Sequence, residues 1–172
     1  MLERTFEAKI ESISEVTAFV DEWLEGLDCG IKAQMQIDVA LDELFSNIAH
    51  YAYASGTGEA TLQLDFDEVS RRVSITFIDG GVPYDPLQKA DPDLDVPIEE
   101  RAIGGLGIFL VKKTMDGMDY VRRDDRNILT IHKQIQEGTH DTRRQRALAA
   151  DGEGPEPESL CRGYSHAPGP LQ

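Results

Sequence analysis

Two helical patterns follow a short alternating segment at the start of the chain. Residues 3–11 alternate roughly between polar and apolar side chains, which is typical of a strand. From Ile13 to about Leu27 the apolar residues recur three or four positions apart, which predicts an amphipathic helix. A second helix is predicted over about residues 32–54. Its apolar stripe comprises Ile37, Leu41, Leu44 and Ile48.

The rest of the patterned region predicts a small sheet and one more helix. A charged turn separates two predicted strands, at about 61–66 and 73–78. A helix over 107–115 precedes a closing hairpin with strands at 118–123 and 127–134. These elements indicate an α+β fold, a two-layer α/β sandwich with its helices on one face of a mixed, mainly antiparallel sheet.

Two segments lack a sustained pattern. Four prolines interrupt any helix between Gly80 and Gly105, and a loop of this length in a compact domain is commonly a functional lid. Beyond about Glu137 charged residues, Gly and Pro dominate, so apolar side chains are too sparse to offset the entropy of ordering the chain. We therefore predict one folded domain over residues 1–136 and a disordered tail over residues 137–172.

The formal net charge of −15 restricts the partners of the protein. It argues against nucleic acid, because phosphate binding needs a surplus of Lys and Arg on one face. It suits a basic partner surface, or serves only to keep the protein dispersed. We expect no membrane partner, since no apolar run has the length of a membrane span and the first residues lack a secretory pattern. Cys29 and Cys161 form no metal-ligand or redox spacing, so we expect incidental thiols in a reducing, cytoplasmic compartment.

Glu43 and Asn47 lie one helical turn apart, at the border of the apolar stripe of the second helix. A carboxylate at such a border can accept a proton from a nucleophile, and an amide oxygen is a hard ligand suited to Mg²⁺. The alternative is an ordinary surface Glu/Asn pair, which the spacing alone favours.

Asp79 stands at the predicted end of a strand and is followed by the segment Gly80–Pro83. Ligand pockets commonly form at the ends of sheets, and a carboxylate there could receive the exocyclic amine of a base such as adenine. Gly81 would let the backbone approach the ring closely. The alternative is a simple Asp-Gly turn between strand and loop.

Gly104, Gly105 and Gly107 surround the start of an apolar helix at Leu106. Free backbone N–H groups and the positive end of a helix suit such a segment to holding phosphates. The Lys and Ser/Thr of a P-loop are missing from the sequence. A glycine-rich helix start without a ligand is the alternative.

The three motifs in this order resemble the ATPase superfamily of gyrase, the large heat-shock chaperone, histidine kinases and mismatch-repair ATPases. Within that superfamily, the sequence is most similar to the bacterial anti-sigma-factor serine/threonine kinases. The resemblance covers roughly residues 3–135 and rests on LDELFSNIAHYAY, FIDGGVPYDPL and GGLGIFLVKKTMDGMDYVRRDDRNILTIHK. It implies the histidine-kinase-like ATPase fold, with ATP and Mg²⁺ as cofactors.

The resemblance also implies a role for each residue at the phosphate end of the site. Glu43 would be the catalytic base, taking a proton from a substrate serine or from water. Asn47 would ligate the Mg²⁺ that bridges the phosphates. The phosphates themselves would be held by Gly104, Gly105, Leu106 and Gly107.

At the base end, the resemblance implies that Asp79 binds the adenine amine. Gly81 would lie beside the ring, and Pro83 belongs to the same segment of the cofactor site. Thr130, in the last strand, would support the adenine from below.

The resemblance further implies an ATP lid at about 84–103 and two protein partners. Arg101 is the candidate for a contact with the γ-phosphate. The partners would be a small anti-anti-sigma (STAS-type) protein, which is phosphorylated, and a sigma factor, which is sequestered. A homodimer is expected from the family only.

Two other functions remain open from the sequence. One is an ATP-gated binding module, in which nucleotide orders the lid without physiological phosphotransfer. The other is the catalytic half of a two-component histidine kinase, although the chain has no room for a dimerising histidine helix pair or a sensor.

Overall fold

The structure is a computed structural model that describes residues 1–54, 56–88 and 106–136 of the chain. The predictions for Arg101, Gly104 and Gly105, for most of the lid, and for the tail from residue 137 onward lie outside the described residues. The described elements are, in chain order, β1 (Leu2–Glu7), α1 (Ile13–Gly26), α2 (Ile31–Asn47), β2 (Glu59–Asp67), β3 (Arg72–Asp79), α3 (Leu106–Thr114), β4 (Gly117–Arg123) and β5 (Arg126–Gln134).

Two predicted elements differ in their bounds from those observed. The strand predicted over 3–11 ends at Glu7, because the chain then turns into a 3₁₀ helix at Ile10–Ser12. The helix predicted over 32–54 is α-helical only as far as Asn47 and continues as a π-helical turn at Ile48–Ala52. Single π-helical turns widen a helix locally and often occur at functional sites.

The five strands form one sheet in the order β1-β2-β3-β5-β4, and each of its four strand pairs is antiparallel. This confirms the predicted antiparallel character of the sheet. Asp124 and Asp125, both at positive φ, join β4 to β5. Two residues at positive φ form the kind of hairpin turn that matches the twist of the paired strands.

One face of the sheet carries the hydrophobic core. Leu62 and Phe77 on this face are fully buried, in one core cluster with Val20 of α1 and with Leu41 and Phe45 of α2. Burying a side chain of this size stabilises a fold by about 1.5–3 kcal/mol relative to exposing it. The helices therefore cover one side of the sheet, which confirms the two-layer sandwich.

The opposite face of the sheet is mostly polar, and several of its side chains pair with each other across strands. The hydroxyls of Thr76 and Thr130 lie 2.9 Å apart, and Ser74 Oγ lies 2.9 Å from Nδ1 of His132. Cross-strand pairs of this kind stabilise a sheet face without an apolar cover. Among the described helices, none has the length and apolar character needed to cross a bilayer.

Candidate functional site

A cavity opens between the C-terminal end of α2 and the helix-facing side of the sheet. Its wall includes Asn47, Tyr51, Asp79, Tyr84 and Asn127. Most of the remaining lining is apolar: Leu44, Ile48, Ala52, Phe77, Val82, Pro83, Pro86, Ile108, Tyr120 and Leu129. An apolar cavity with a few convergent polar groups is the usual form of a small-molecule site.

Asp79 ends β3 on the inner face of the sheet and is only 6% exposed. Its Oδ1 accepts the backbone N–H of Gly81 and the side-chain amide of Asn127, each at 2.9 Å. No hydrogen bond within the described ranges reaches the other carboxylate oxygen, Oδ2. The structure thus places Asp79 on the cavity wall with one acceptor available, while its contact with adenine stays a prediction.

Gly81 brings the segment after β3 against the end of the π-helical turn. A Cβ built on Gly81 would lie 2.5 Å from both Cβ and the carbonyl oxygen of Ala52, and Val82 donates its N–H to that same oxygen at 2.9 Å. The contact that requires a glycine here is therefore with Ala52. Pro83 lies on the cavity wall, and the predicted approach of Gly81 to a ring stays a prediction.

Asn47 ends α2 with its side chain on the cavity wall. Its amide nitrogen donates to the backbone carbonyl of Glu43 at 2.6 Å. Because the nitrogen is engaged in this way, the amide oxygen is the atom left for a ligand. Across the parts of the chain that the structure describes, no cluster of three or more His, Cys, Asp or Glu side chains could hold a metal ion.

Glu43 lies one turn before Asn47, and its carboxylate reaches the first turn of α3. A Cβ built on Gly107 would overlap this carboxylate, so the first and third sequence motifs meet in space. Leu106, which begins α3, is exposed. The two glycines before it are outside the described residues, and the phosphate-binding role of the segment stays a prediction.

Thr130 is not on the cavity, and the prediction that it supports the adenine is wrong. Side chains alternate along β5, and Leu129 and Ile131 point into the core. Thr130 therefore lies on the opposite face, where its hydroxyl bonds with Thr76.

Asn127, which faces Asp79 across the β3–β5 pair, was not predicted from the sequence. It is 5% exposed and shares the inner face of β5 with Leu129 and Ile131. Its signal in the sequence was a polar residue at a position of β5 where the alternation requires an apolar one. Tyr120 and Arg122 of β4, which donate to its side-chain oxygen, were missed as well.

Tyr84, the first residue of the predicted lid segment, also lies on the wall of the cavity. Burial raises the pKa of the Tyr84 phenol above its ordinary value, and the nearby Tyr51 is a second, smaller cause. Tyr84 therefore stays neutral at physiological pH and presents an aromatic ring and a hydroxyl to the cavity.

Comparison with known proteins identifies similar sequences and folds. The family of histidine kinase-like ATPase domains matches residues 6–133. The serine/threonine-protein kinase BtrW of Bordetella bronchiseptica is 30% identical over 117 residues, which are 68% of this chain and 78% of that protein. The serine-protein kinase RsbW of Bacillus cereus is 30% identical over 102 residues, which are 57% of this chain and 62% of that protein.

Among solved structures, the RsbU and RsbW domains of a Mycobacterium tuberculosis protein share the fold with a TM-score of 0.51. The match covers 78% of this chain and 33% of that one, at 14% sequence identity. At this identity the likeness concerns the arrangement of helices and strands alone.

Proposed function

Because the chain belongs to the histidine kinase-like ATPase family, and within it to the anti-sigma-factor serine/threonine kinases, we propose that it phosphorylates a small anti-anti-sigma (STAS-type) protein with ATP and sequesters a sigma factor. One observation carries the proposal. A single cavity has a carboxylate acceptor, Asp79, on its sheet side and Asn47 at the end of α2, with Glu43 one turn away.

The nucleotide lies with its base toward Asp79 and its phosphates toward α3. Oδ2 of Asp79 receives an N–H donor from the base, and apolar side chains such as Ile48 and Leu129 contact the ring. The start of α3 provides backbone N–H groups and a positive helix end for the phosphates. The position of Asp79 on the cavity wall, with Asn47 and Ile108 of α3 on the same wall, supports this polarity.

Asn47 is suited to the Mg²⁺ that accompanies the phosphates. Mg²⁺ prefers oxygen ligands and usually keeps several waters and substrate phosphate oxygens, so one amide oxygen from the protein fits its needs. Bound there, the ion would neutralise charge on the phosphates. The bond from the Asn47 amide nitrogen to the Glu43 carbonyl holds that oxygen in place.

Glu43 accepts the proton in the transfer step. The substrate hydroxyl oxygen forms a bond to the γ-phosphorus while the bond from that phosphorus to the β–γ bridging oxygen breaks. ADP leaves, and the hydroxyl proton passes to the Glu43 carboxylate. In support of this role, the carboxylate lies against Gly107 in the first turn of α3, where the phosphates are proposed to bind.

The test is phosphotransfer by the full chain to a STAS-domain protein from the same genome, with Mg²⁺ and γ-labelled ATP. We expect Glu43→Gln to reduce transfer by about 100-fold or more, since general bases contribute at least that much, and to leave nucleotide affinity near that of the wild type. Asp42→Asn is the matched control, because Asp42 is the exposed neighbour on the same helix.

Two results would contradict the proposal. Transfer by Glu43→Gln at the wild-type rate would remove the assignment of Glu43. Nucleotide-dependent complex formation without any phosphoprotein would identify an ATP-gated binding module instead of a kinase.

A further inference from the structure

The side chain of Asn127 is held by five hydrogen bonds at the sheet side of the cavity. Its oxygen accepts the Tyr120 hydroxyl at 2.8 Å, the Arg122 guanidinium at 2.9 Å and the backbone N–H of Tyr84 at 3.4 Å. Its nitrogen donates to Oδ1 of Asp79 and to the carbonyl of Val82, each at 2.9 Å.

These partners determine which atom of the Asn127 amide is the oxygen and which is the nitrogen. A guanidinium and a backbone N–H can only donate, so the atom that faces Arg122 must be the oxygen. A backbone carbonyl can only accept, so the atom that faces Val82 must be the nitrogen. The amide of Asn127 therefore has one orientation, and its nitrogen always donates toward Asp79.

That donation decides which oxygen of Asp79 is available. Oδ1 already accepts the N–H of Gly81 and the amide of Asn127. Oδ2 takes no hydrogen bond in the described part of the chain, and it is not among the buried side-chain atoms without a partner. A ligand in the cavity consequently meets an acceptor at this point and no donor.

We propose that Arg122 and Tyr120 are positioning residues that, through Asn127, hold the Asp79 carboxylate with Oδ1 occupied and Oδ2 free for the base, and so sharpen the selection of a 6-amino purine over a 6-oxo purine. This rests on the proposed nucleotide-binding function. A 6-oxo purine places a carbonyl oxygen opposite Oδ2, which leaves two acceptors facing each other.

Arg122 has a second contact that supports this role. The same nitrogen that donates to Asn127 lies 3.2 Å from the carbonyl oxygen of Gly81, so one guanidinium holds both the amide and the segment after β3. Its ion pair with Asp125 is long, at 3.9 Å, and Asp125 is fully exposed, so this pair contributes little.

The test is calorimetric titration of the full chain with ADP and with IDP, its 6-oxo counterpart, in the presence of Mg²⁺. We expect the wild type to prefer ADP, and we expect Arg122→Gln and Tyr120→Phe to reduce the ADP-to-IDP affinity ratio by about tenfold, the loss expected for one hydrogen bond to a charged group. Arg123→Gln is the control, since it removes the same charge from an exposed position on the same strand and should leave the ratio unchanged.

Asp79→Asn gives a second, independent readout. The donors from Asn127 and Gly81 require an oxygen at the Oδ1 position, so the new amide nitrogen must replace Oδ2. We expect this variant to prefer IDP over ADP. This reversal tests the donors that face Oδ1 directly, and the affinity ratios of Arg122→Gln and Tyr120→Phe test the residues that position Asn127.

The outcomes separate this inference from the function on which it rests. A wild type that binds neither nucleotide would overturn the nucleotide site and this proposal together. A wild type that binds ADP, with an unchanged ratio in Arg122→Gln and Tyr120→Phe, would overturn the positioning role and leave the site intact. If circular dichroism shows that Arg122→Gln does not fold, the ratio in Tyr120→Phe decides the matter.

Discussion

The carboxylate of Glu43 occupies the space that a side chain on Gly107 would need. A Cβ built on Gly107 would meet Oε2 of Glu43 at 1.8 Å, which is far inside van der Waals contact. The glycine at the start of α3 therefore has a function besides presenting backbone N–H groups. It leaves room for the proposed catalytic base.

Gly107→Ala should reduce phosphotransfer much more than stability. The only atoms displaced are at the end of the flexible Glu43 side chain, so the free energy of unfolding should change little. The carboxylate would have to move by more than 1 Å from its present position, and a misplacement of that size can reduce a rate by about 100-fold.

The measurements are the melting temperature and the rate of transfer to the STAS-type partner. Gly26→Ala is the control, because a Cβ on Gly26 would meet no atom within 4 Å. Wild-type transfer by Gly107→Ala would show that the position of the Glu43 carboxylate does not matter.

Gly80 and Gly81 are adjacent, but only Gly81 should be sensitive to alanine. A Cβ on Gly81 would clash with the Ala52 backbone at 2.5 Å, whereas one on Gly80 would meet only the Tyr53 hydroxyl, at 3.9 Å. We expect Gly81→Ala to lower the free energy of unfolding by about 1–3 kcal/mol, as overpacking does, and Gly80→Ala to leave it nearly unchanged. Urea unfolding followed by circular dichroism measures both, and equal stabilities would mean that the Gly81–Ala52 contact is not tight in solution.

Asn47→Ala should remove the effect of Mg²⁺ on nucleotide affinity. In the wild type we expect ADP to bind more tightly with Mg²⁺ than with EDTA, because the Asn47 amide oxygen adds a ligand to the ion. In the variant that difference should shrink, while the affinity in EDTA changes little. Ser46→Ala is the control from the preceding helix position. An equal Mg²⁺ effect in Asn47→Ala and the wild type would exclude Asn47 as the ligand.

Asp38 should make the protein less stable as the pH rises. The pKa of Asp38 is raised from 3.8 to about 6. Burial is the larger cause, and the carboxylate of Asp21 on α1 is the second. The Oδ1 of Asp21 is already engaged by Gln34 at 2.8 Å. A carboxyl with a raised pKa keeps its proton in the folded state between pH of about 4 and 6, so the free energy of unfolding falls as the pH rises through that window.

Asp38→Asn removes this titration. We expect it to raise the free energy of unfolding by about 1 kcal/mol at a pH of about 8, a modest value because the carboxyl is partly exposed and solvent screens it. Near pH 4 the variant and the wild type should be equally stable. Asp42→Asn, which makes the same charge change at an exposed site on α2, is the control. The same stabilisation at both pH values would contradict this account.

Local periodicity was enough to predict the elements that carry the site. The helical repeat put Glu43 and Asn47 one turn apart on the edge of an apolar stripe, and the alternation in β3 put Asp79 at a strand end. These relationships depend on residues close together in sequence, where the backbone geometry is fixed.

The partners of those residues across the fold could not be predicted in the same way. The pairing of Asp79 with Asn127 depends on the register between β3 and β5, which the sequence does not encode locally. For Thr130, in contrast, the local pattern was sufficient. The apolar Leu129 and Ile131 on either side already indicated that it points away from the helices.

The register of β5 against β3 determines both the hydrophobic core and the cavity. A shift of one residue would turn every side chain of β5 to the other face of the sheet. Ile128, Thr130 and His132 would then face the helices in place of Asn127, Leu129 and Ile131. The hydrophobic core and the cavity would be lost in the same event, so a misregistered chain should have no residual activity and should be recognised by the cell as unfolded protein.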